Sequence, residues 1–247
     1  DDVESRGLGD VYKRQVLFTL LTFYGFIHID KIFWRGLVGG LSLVLLTTSV
    51  MALTIHIKDN WGMEKVTSTE TKKIYTAGDT NAAFGMLLKA EIGQDTNNYA
   101  LVYRTNKEDK EPEVHFQPDQ KHMVETLKKT ADYKLTSESE AKVVTTTVKW
   151  KFKDNFMKFL FGIGGEEGKL VSQHARAYVP KDTWLVLTQD EAKKLQQEVP
   201  AMQAQQEAAL KANPAQAKAM MELQKNSPEE FTKLQVKQIK ERLALKE

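Results

Sequence analysis

One segment of the chain carries residue types that could hold a metal ion. Glu113 and His115 are two positions apart, so they project from one face of an extended strand, and His122 follows nearby. A carboxylate with two imidazoles is a common set of zinc ligands. Because sequence spacing gives no ligand geometry here, a polar strand without metal is the simpler interpretation.

Two further segments resemble sites of acid–base catalysis or phosphate binding only in part. His174 and Arg176 share the strand face opposite a row of apolar residues, which predicts a solvated surface. The run FGIGGEEG contains a GxGG sequence, but Glu167 stands where a dinucleotide fingerprint needs glycine, which favours a turn. The sequence has no GxSxG and no HExxH motif. We therefore predict no catalytic residue, no metal ligand, no cofactor and no enzyme.

Composition narrows the remaining classes of function. The 247 residues carry a net charge of only +2 with both signs interspersed, which argues against a nucleic-acid partner. The absence of cysteine excludes disulfides, thiolate zinc ligands and thiol catalysis. One amino-terminal region is apolar and the remainder of the chain is polar. The two parts are therefore expected to form different kinds of helices and strands.

That amino-terminal region predicts membrane-spanning helices and a lipid bilayer as partner. Gly36 to Ile55 is uncharged and long enough to cross a hydrocarbon core of about 30 Å. Val16 to Ile29 is apolar but has only fourteen residues, which predicts a truncated first span. Trp34 and Trp61 suit the two membrane interfaces. Glycines predict close packing of the two helices, namely Gly36, Gly39 and Gly40.

Residues 1–15 end in DVYKRQ and resemble the translation of a transposon-end sequencing adapter. We therefore expect them to be non-native and leave Lys13 and Arg14 out of the topology count. Lys31 and Arg35 then provide the clearest positive flank, although Lys58 and Lys65 weaken the contrast. The positive-inside rule places the short connection in the cytoplasm and everything after Lys58 outside.

The chain beyond the spans predicts strands. Lys65 to Tyr75 suits an edge strand, Asn98 to Thr105 a core strand, and Trp184 to Leu187 a strand buried on both sides. Two longer runs alternate between apolar and polar residues. Their predicted inner faces consist of Val144, Thr146, Val148, Trp150 and Phe152 in the first, and Val171, Ala175, Ala177 and Val179 in the second.

Helices follow the last strand. Thr188 and Glu191 have the spacing of a capping box, and breaks are expected near Pro200, Pro214 and Pro228. These helices could pack on the sheet or extend as an interaction arm. Between the strands, three aromatic rings could form an exposed contact patch for a partner or the bilayer, or lie buried under the sheet: Phe156, Phe159 and Phe161.

The predicted fold class is α+β, with a two-helix transmembrane hairpin, a mainly antiparallel β domain and carboxy-terminal helices. The predicted divisions are the adapter translation (1–15), the hairpin (16–57, with spans 16–29 and 32–57), an extracytoplasmic β-rich domain (58–188) and a helical region (189–247).

Several longer stretches carry a family resemblance. WGMEKVTSTETKKIYTAG, LVYRTN, FLFGIGG and KDTWLVLTQDEAKKLQQ, placed after two close hydrophobic spans, resemble the domain of unknown function 4811 family from Val16 onward. The resemblance implies a small membrane protein of lactobacilli and their relatives, and hence a Gram-positive cell envelope. It implies no established activity. It also implies genes beside multidrug-type transporters, which makes a membrane transporter or another envelope protein the expected partner.

Three hypotheses for function follow. The first, which we favour because no catalytic spacing is present, is a noncatalytic envelope protein at the cell membrane that binds a partner and works with a membrane transporter. The second is an envelope enzyme with an unrecognised site. The third is a domain that binds a small ligand or lipid in the interior of the sheet.

Overall fold

The computed structural model describes residues 2–118, 123–162 and 165–245, with the backbone alone for residues 2–14, Met123 and Gln216. Helices and strands follow in the order α1 (Asp2–His28), α2 (Ile32–Asp59), β1 (Met63–Lys73), β2 (Gly85–Glu91), β3 (Tyr99–Tyr103), β4 (Glu113–His115), α3 (Met123–Thr126), β5 (Lys129–Thr136), β6 (Lys142–Phe152), α4 (Asn155–Phe161), β7 (Leu170–Pro180), β8 (Trp184–Thr188), α5 (Gln189–Ala212), α6 (Pro214–Asn226) and α7 (Pro228–Leu243).

The strands form two four-stranded sheets, with the orders β1-β6-β7-β5 and β4-β3-β2-β8. β2 pairs antiparallel with β3, and β3 with β4, whereas β8 joins β2 and β5 joins β7 in parallel. The α+β class with an amino-terminal apolar helix, sheets rich in antiparallel pairs and carboxy-terminal helices is thereby confirmed. β1 lies at a sheet edge, as its composition predicts.

The chain divides into two compact units. The first comprises the chain up to Ser68 together with Thr147–Ser172, and the second comprises Thr69–Thr146 with the chain from Gln173 onward. The division predicted from the sequence, with boundaries at 15/16, 57/58 and 188/189, stays a prediction. The first unit contains α1, α2 and α4. A segment that is distant in the sequence therefore belongs to the same unit as the predicted hairpin.

The core of the second unit shows how well alternation predicts burial. Ala175, Ala177 and Val179 are fully buried on β7, as predicted, whereas Val171, in the part of β7 that belongs to the first unit, is half-buried. On β8, Leu185 and Leu187 pack in one apolar cluster while Trp184 and Val186 contact another, so the strand is covered on both faces.

The predicted inner face of β6 is wrong at its start. Val143 is 4% exposed and lies in the core of the second unit, whereas Val144 is half-buried. Phe152, at the other end of β6, is 3% exposed and belongs to a core in the first unit. Because the two ends of β6 serve different cores, one alternation does not extend along the strand.

Two of the carboxy-terminal helices, α5 and α7, pack on the sheet, and α6 contacts these two helices. Leu195 of α5 and Val236 and Ile239 of α7 share a buried cluster with Leu185 and Leu187 of β8. The capping box at Thr188 is confirmed, since its hydroxyl accepts from the Glu191 N–H while the Glu191 carboxylate accepts from the Thr188 N–H.

The predicted break near Pro200 is wrong, whereas those at the other two prolines are confirmed. α5 continues through Pro200, and α6 and α7 begin at Pro214 and Pro228. A proline inside a helix removes one backbone donor. Packing of α5 on β8 on one side, together with the capping box, keeps the helix continuous despite that loss.

Candidate membrane-proximal site

Helix α2 is long and apolar enough to cross a membrane. It has 28 residues, and only 11% of its most apolar window is buried, whereas the core helix of a soluble protein would be mostly covered. α1 contains a shorter apolar stretch, Gln15–His28. α1 and α2 are joined by three residues, and they pack against each other at glycines.

Gly25 of α1 and Gly39 of α2 form the point of closest approach. A Cβ atom added to Gly25 would lie 2.7 Å from the backbone nitrogen of Gly39, and one added to Gly39 would lie 2.9 Å from the ring of Phe26. Of the glycines singled out from the sequence, Gly36 and Gly40 have no atom within 4 Å of such a Cβ. Gly25, which the sequence reasoning missed, is therefore the partner of Gly39.

The connection between α1 and α2 carries the two predicted topology residues. The Nε atom of Arg35 donates to the carbonyl of Ile29 at 2.9 Å, and Nη2 lies 3.4 Å from the carbonyl of Asp30. These carbonyls follow the last turn of α1, where a cation is favoured by the helix dipole. Lys31 is exposed at the start of α2, and Trp34 is 51% exposed with its ring edge-on to Phe33.

The carboxy-terminal end of α2 holds a buried histidine. His56 is 3% exposed, its Nδ1 atom lies 2.6 Å from the carbonyl of Trp61, and its Nε2 atom lies 2.6 Å from Oε2 of Glu166. The carbonyl can only accept, so Nδ1 carries a proton and donates it. The Nε2–Glu166 contact then also holds a proton, which resides on either the imidazole or the carboxylate.

Helix α4 packs on this histidine. The ring of Phe161 stacks on the imidazole of His56 with centroids 4.2 Å apart and planes within 9°. Asp154 caps α4 by accepting from the Met157 N–H, and Gly62 approaches Met157 so closely that a Cβ would lie 2.9 Å from its sulfur. The helix is not predicted from the sequence, because its seven residues are too few for a periodic pattern.

The predicted aromatic contact patch divides into two parts. Phe161 is 6% exposed and follows the alternative of burial, because its ring is covered by His56 and Trp61. Phe156 and Phe159 on the same helix are 63% and 67% exposed. Trp61, predicted as an interfacial anchor, is 44% exposed and lies edge-on to Phe161.

The described residues among those considered for metal binding do not form a metal site. Glu113 is exposed, whereas the ring of His115 stacks on Tyr103 with centroids 3.9 Å apart, and His122 lies outside the described residues. Within the described ranges, no group of three or more His, Asp or Glu side chains is placed to hold a metal ion.

Burial lowers the pKa of His115, an effect that hydrogen bonding to the Tyr103 backbone and the charge of Glu113 oppose. Burial also raises the pKa of Tyr103 to about 12. Both rings therefore favour their neutral forms near neutral pH.

His174 and Arg176 lie on β7 beside polar residues of β5, which agrees with the solvated surface predicted for this strand face. Arg176 makes a two-pronged ion pair with Asp132 at 2.7 and 2.6 Å, and the Nδ1 atom of His174 lies 3.0 Å from the hydroxyl of Thr130. Asp132 raises the pKa of Arg176 through hydrogen bonding and charge. These charged groups stabilise one another across the parallel strand pair.

The glycine-rich run after α4 has a structural role in its described part. Glu166 bonds to His56, and Glu167 forms an ion pair with Lys158 of α4 at 2.5 Å. Gly165 and Gly168 have φ values of 65° and 85°, which supports the prediction of a turn. The sequence signal that could have predicted the contact with Glu166 is His56 itself, because a histidine at the end of an apolar span requires a polar partner.

Comparison with known proteins gives one match. The model of the family described as a domain of unknown function (DUF4811) matches residues 31–195, which run from the start of α2 into α5. No curated protein and no solved structure shows significant similarity to the chain. The match covers more than half of the 247 residues and confirms the resemblance seen in the sequence. The chain belongs to the DUF4811 family.

Proposed function

We propose that this chain is a membrane-anchored protein of a Gram-positive cell envelope whose folded part is extracytoplasmic and binds another envelope protein, a membrane transporter in the first place, without catalysing a reaction. The observation that carries the proposal is α2, an apolar 28-residue helix that presents most of its side chains outward. Burying such a surface in lipid is favourable by about 25 cal/mol per Å².

The orientation follows from the charges at the two ends of α2. Lys31 and Arg35 lie in a three-residue connection and the turn after it, and a short loop of this kind weighs most in the positive-inside rule. Lys58, at the other end, is followed by the folded part of the chain. Long segments are translocated largely regardless of their charge, so the lysines beyond Lys58 count for less.

A binding role is supported by how the polar side chains are used. Arg104 donates to backbone carbonyls, Asp132 pairs with Arg176, and Glu166 pairs with His56. Each of these groups is used in a contact within its own unit and so stabilises the fold there. A surface cleft of about 520 Å³ beside α7 is lined by charged side chains, but Lys233 there pairs with Glu229 and Glu230.

Sidedness can be tested with cysteine labelling, because the 247 residues of the chain include no cysteine. Asp30→Cys in the connection and Met221→Cys on α6 both replace exposed residues. A membrane-impermeant maleimide added to intact cells should label Met221→Cys at once and Asp30→Cys only after permeabilisation. The reverse pattern would place the folded part in the cytoplasm, and equal labelling of both in intact cells would argue against a crossing.

The partner can be tested on the same membranes. The full chain, extracted in a mild detergent and analysed by native mass spectrometry, should carry a multi-spanning transporter subunit at a fixed ratio. A Lys31→Glu/Arg35→Glu double variant, which reverses the charge of the connection, should lose that partner if its orientation changes, whereas Lys31→Arg should keep it. A chain recovered at its own mass from gently extracted membranes would contradict the transporter proposal.

A further inference from the structure

α4 combines one buried aromatic ring with two exposed ones. Phe161 is 6% exposed, whereas Phe156 and Phe159 are 63% and 67% exposed on the same seven-residue helix. Two neighbouring phenylalanines in contact with water are unfavourable for a short element, and exposed apolar patches mark contacts with proteins or membranes. The position of α4 relative to α2 decides between these occupants.

α4 lies beside the last turns of the apolar run of α2. Met157 and Leu160 of α4 pack in one cluster with Ala52 and Leu53 of α2. Ala52 and Leu53 belong to the uncharged run that ends at Ile55. α4 shares this cluster and stacks Phe161 on His56 of α2, so it lies at the depth where the apolar span ends, not above it.

The remaining neighbours suit a headgroup region. Trp61 is 44% exposed and contacts Phe161, and tryptophan is enriched where hydrocarbon meets the headgroups. Lys153, two residues before α4, and Lys58, in the last turn of α2, are both exposed. Exposed cations near an interfacial helix can pair with lipid phosphates. His56 and Glu166 fix the segment that carries α4 to the end of α2.

We propose that α4 is an interfacial helix whose Phe156 and Phe159 enter the boundary between lipid headgroups and acyl chains, giving the protein a second membrane contact beside α2. This inference rests on the proposed crossing of the membrane by α2. The expected depth of the rings is about 5–10 Å below the headgroups, as for other helices that lie in the membrane plane. The partner is the bilayer itself, and a protein partner covering the two rings is the competing outcome.

The test uses single-cysteine variants of the full chain in nanodiscs that hold one copy in phosphatidylcholine and phosphatidylglycerol. An environment-sensitive fluorophore is attached at Phe156→Cys, Phe159→Cys, the mid-span position Val44→Cys, and Thr67→Cys. Val44 is 61% exposed on α2, and Thr67 is an exposed residue of β1, about 13 Å along the strand from Met63. Lipids carrying a spin label near the headgroup or deep in the acyl chain then quench the emission.

The expected result is blue-shifted emission at positions 156 and 159 with roughly twofold quenching by the shallow spin label, weaker quenching by the deep one, and neither effect at position 67. Position 44 should be quenched best by the deep label. If position 44 is quenched while positions 156 and 159 behave like position 67, the inference about α4 is overturned and the anchor stands. Loss of quenching at position 44 would overturn both proposals. Blue-shifted but unquenched labels on α4 would mean that the protein itself covers the two rings, which would also overturn the inference about α4.

Discussion

Nε2 of His56 and Oε2 of Glu166 lie 2.6 Å apart, although 110 positions separate the two residues in the sequence. His56 is in the last turn of α2, where the helix dipole favours a cation, and Glu166 follows α4. Nδ1 of the same ring is held by the Trp61 carbonyl, and its face by Phe161. One imidazole therefore joins the end of the apolar helix, the turn after it and the segment around α4.

The first prediction concerns this pair. Glu166→Ala should destabilise the first unit by about 2 kcal/mol, because the buried Nε2 atom of His56 loses its hydrogen-bond partner. Hydrogen exchange of the full chain in nanodiscs should show faster exchange of the amides in α4.

Glu167→Ala is the matched control, since it removes the neighbouring carboxylate and only a solvent-exposed ion pair with Lys158. Its expected cost is below about 1 kcal/mol. Equal exchange in the two variants would show that the His56–Glu166 contact contributes no more than a surface pair.

The second prediction concerns helix packing. Gly25→Leu should separate α1 from α2, because its Cβ alone would lie 2.7 Å from the Gly39 nitrogen, where ordinary contact needs 3.4–4 Å. The helices must part by about 1 Å for the Cβ and by more for the rest of the side chain. Spin labels at Leu21 and Leu43, both exposed, should report a longer mean distance.

The control for this prediction is Gly40→Leu, which adds the same side chain where no atom lies within 4 Å. It should leave the distance between the labels unchanged. If both variants changed the distance equally, bulk in the bilayer would explain the result better than the Gly25–Gly39 contact.

Features that depend on neighbouring residues in the sequence are predicted correctly, whereas contacts between distant segments are not. Three kinds of local feature are predicted correctly. They are the capping box at Thr188, the helix starts at Pro214 and Pro228, and the burial of alternate residues on β7, namely Ala175, Ala177 and Val179. Each follows from residues within one segment, either from the hydrogen bonding of backbone groups at a helix start or from the alternation of side chains along a strand.

The missed features depend on distant segments. Gly25 gains its meaning only from Gly39 on another helix, and Glu166 only from His56. Val143 is buried because the start of β6 packs in a core different from the one at its end. Pro200 was expected to end a helix on propensity alone, but packing of α5 outweighs that local cost. The absence of a metal site at Glu113, His115 and His122 stays a prediction, because His122 lies outside the described residues.

The third prediction concerns Arg104, which is 7% exposed in the second unit. Its Nη1 atom donates to the carbonyls of Thr76 and Gly78, the latter at 2.8 Å, and its Nε atom donates to the carbonyl of Asp109 at 3.0 Å. Arg104→Met leaves these carbonyls without their donor, so we expect a loss of about 3–5 kcal/mol in urea unfolding.

Arg176→Met is the control for residue type in the same unit. Its guanidinium is 41% exposed and pairs with Asp132 at the surface, so the expected loss is about 1 kcal/mol or less. Trp184 of β8 can report the unfolding of this unit by fluorescence if the other tryptophans are replaced by phenylalanine. Similar losses in both variants would refute the role assigned to the buried carbonyl contacts.

The last prediction concerns alkaline stability. Burial raises the pKa of Tyr103 to about 12, above its ordinary value of 10.0. Between these two pH values the unfolded chain loses the phenolic proton while the folded chain keeps it. The stabilisation is therefore complete below pH 10.0 and is lost as the pH rises toward about 12. At 1.36 kcal/mol per pKa unit the loss is roughly 2–3 kcal/mol.

Tyr103→Phe keeps the ring that stacks on His115 and removes the titrating group. The difference in unfolding free energy between natural chain and variant should be constant below pH 10.0 and shift in favour of the variant toward pH 12. Other tyrosines and lysines titrate in both proteins, so their contributions cancel in this difference. A difference that stays flat across the whole interval would mean that the Tyr103 hydroxyl reaches solvent in the folded state.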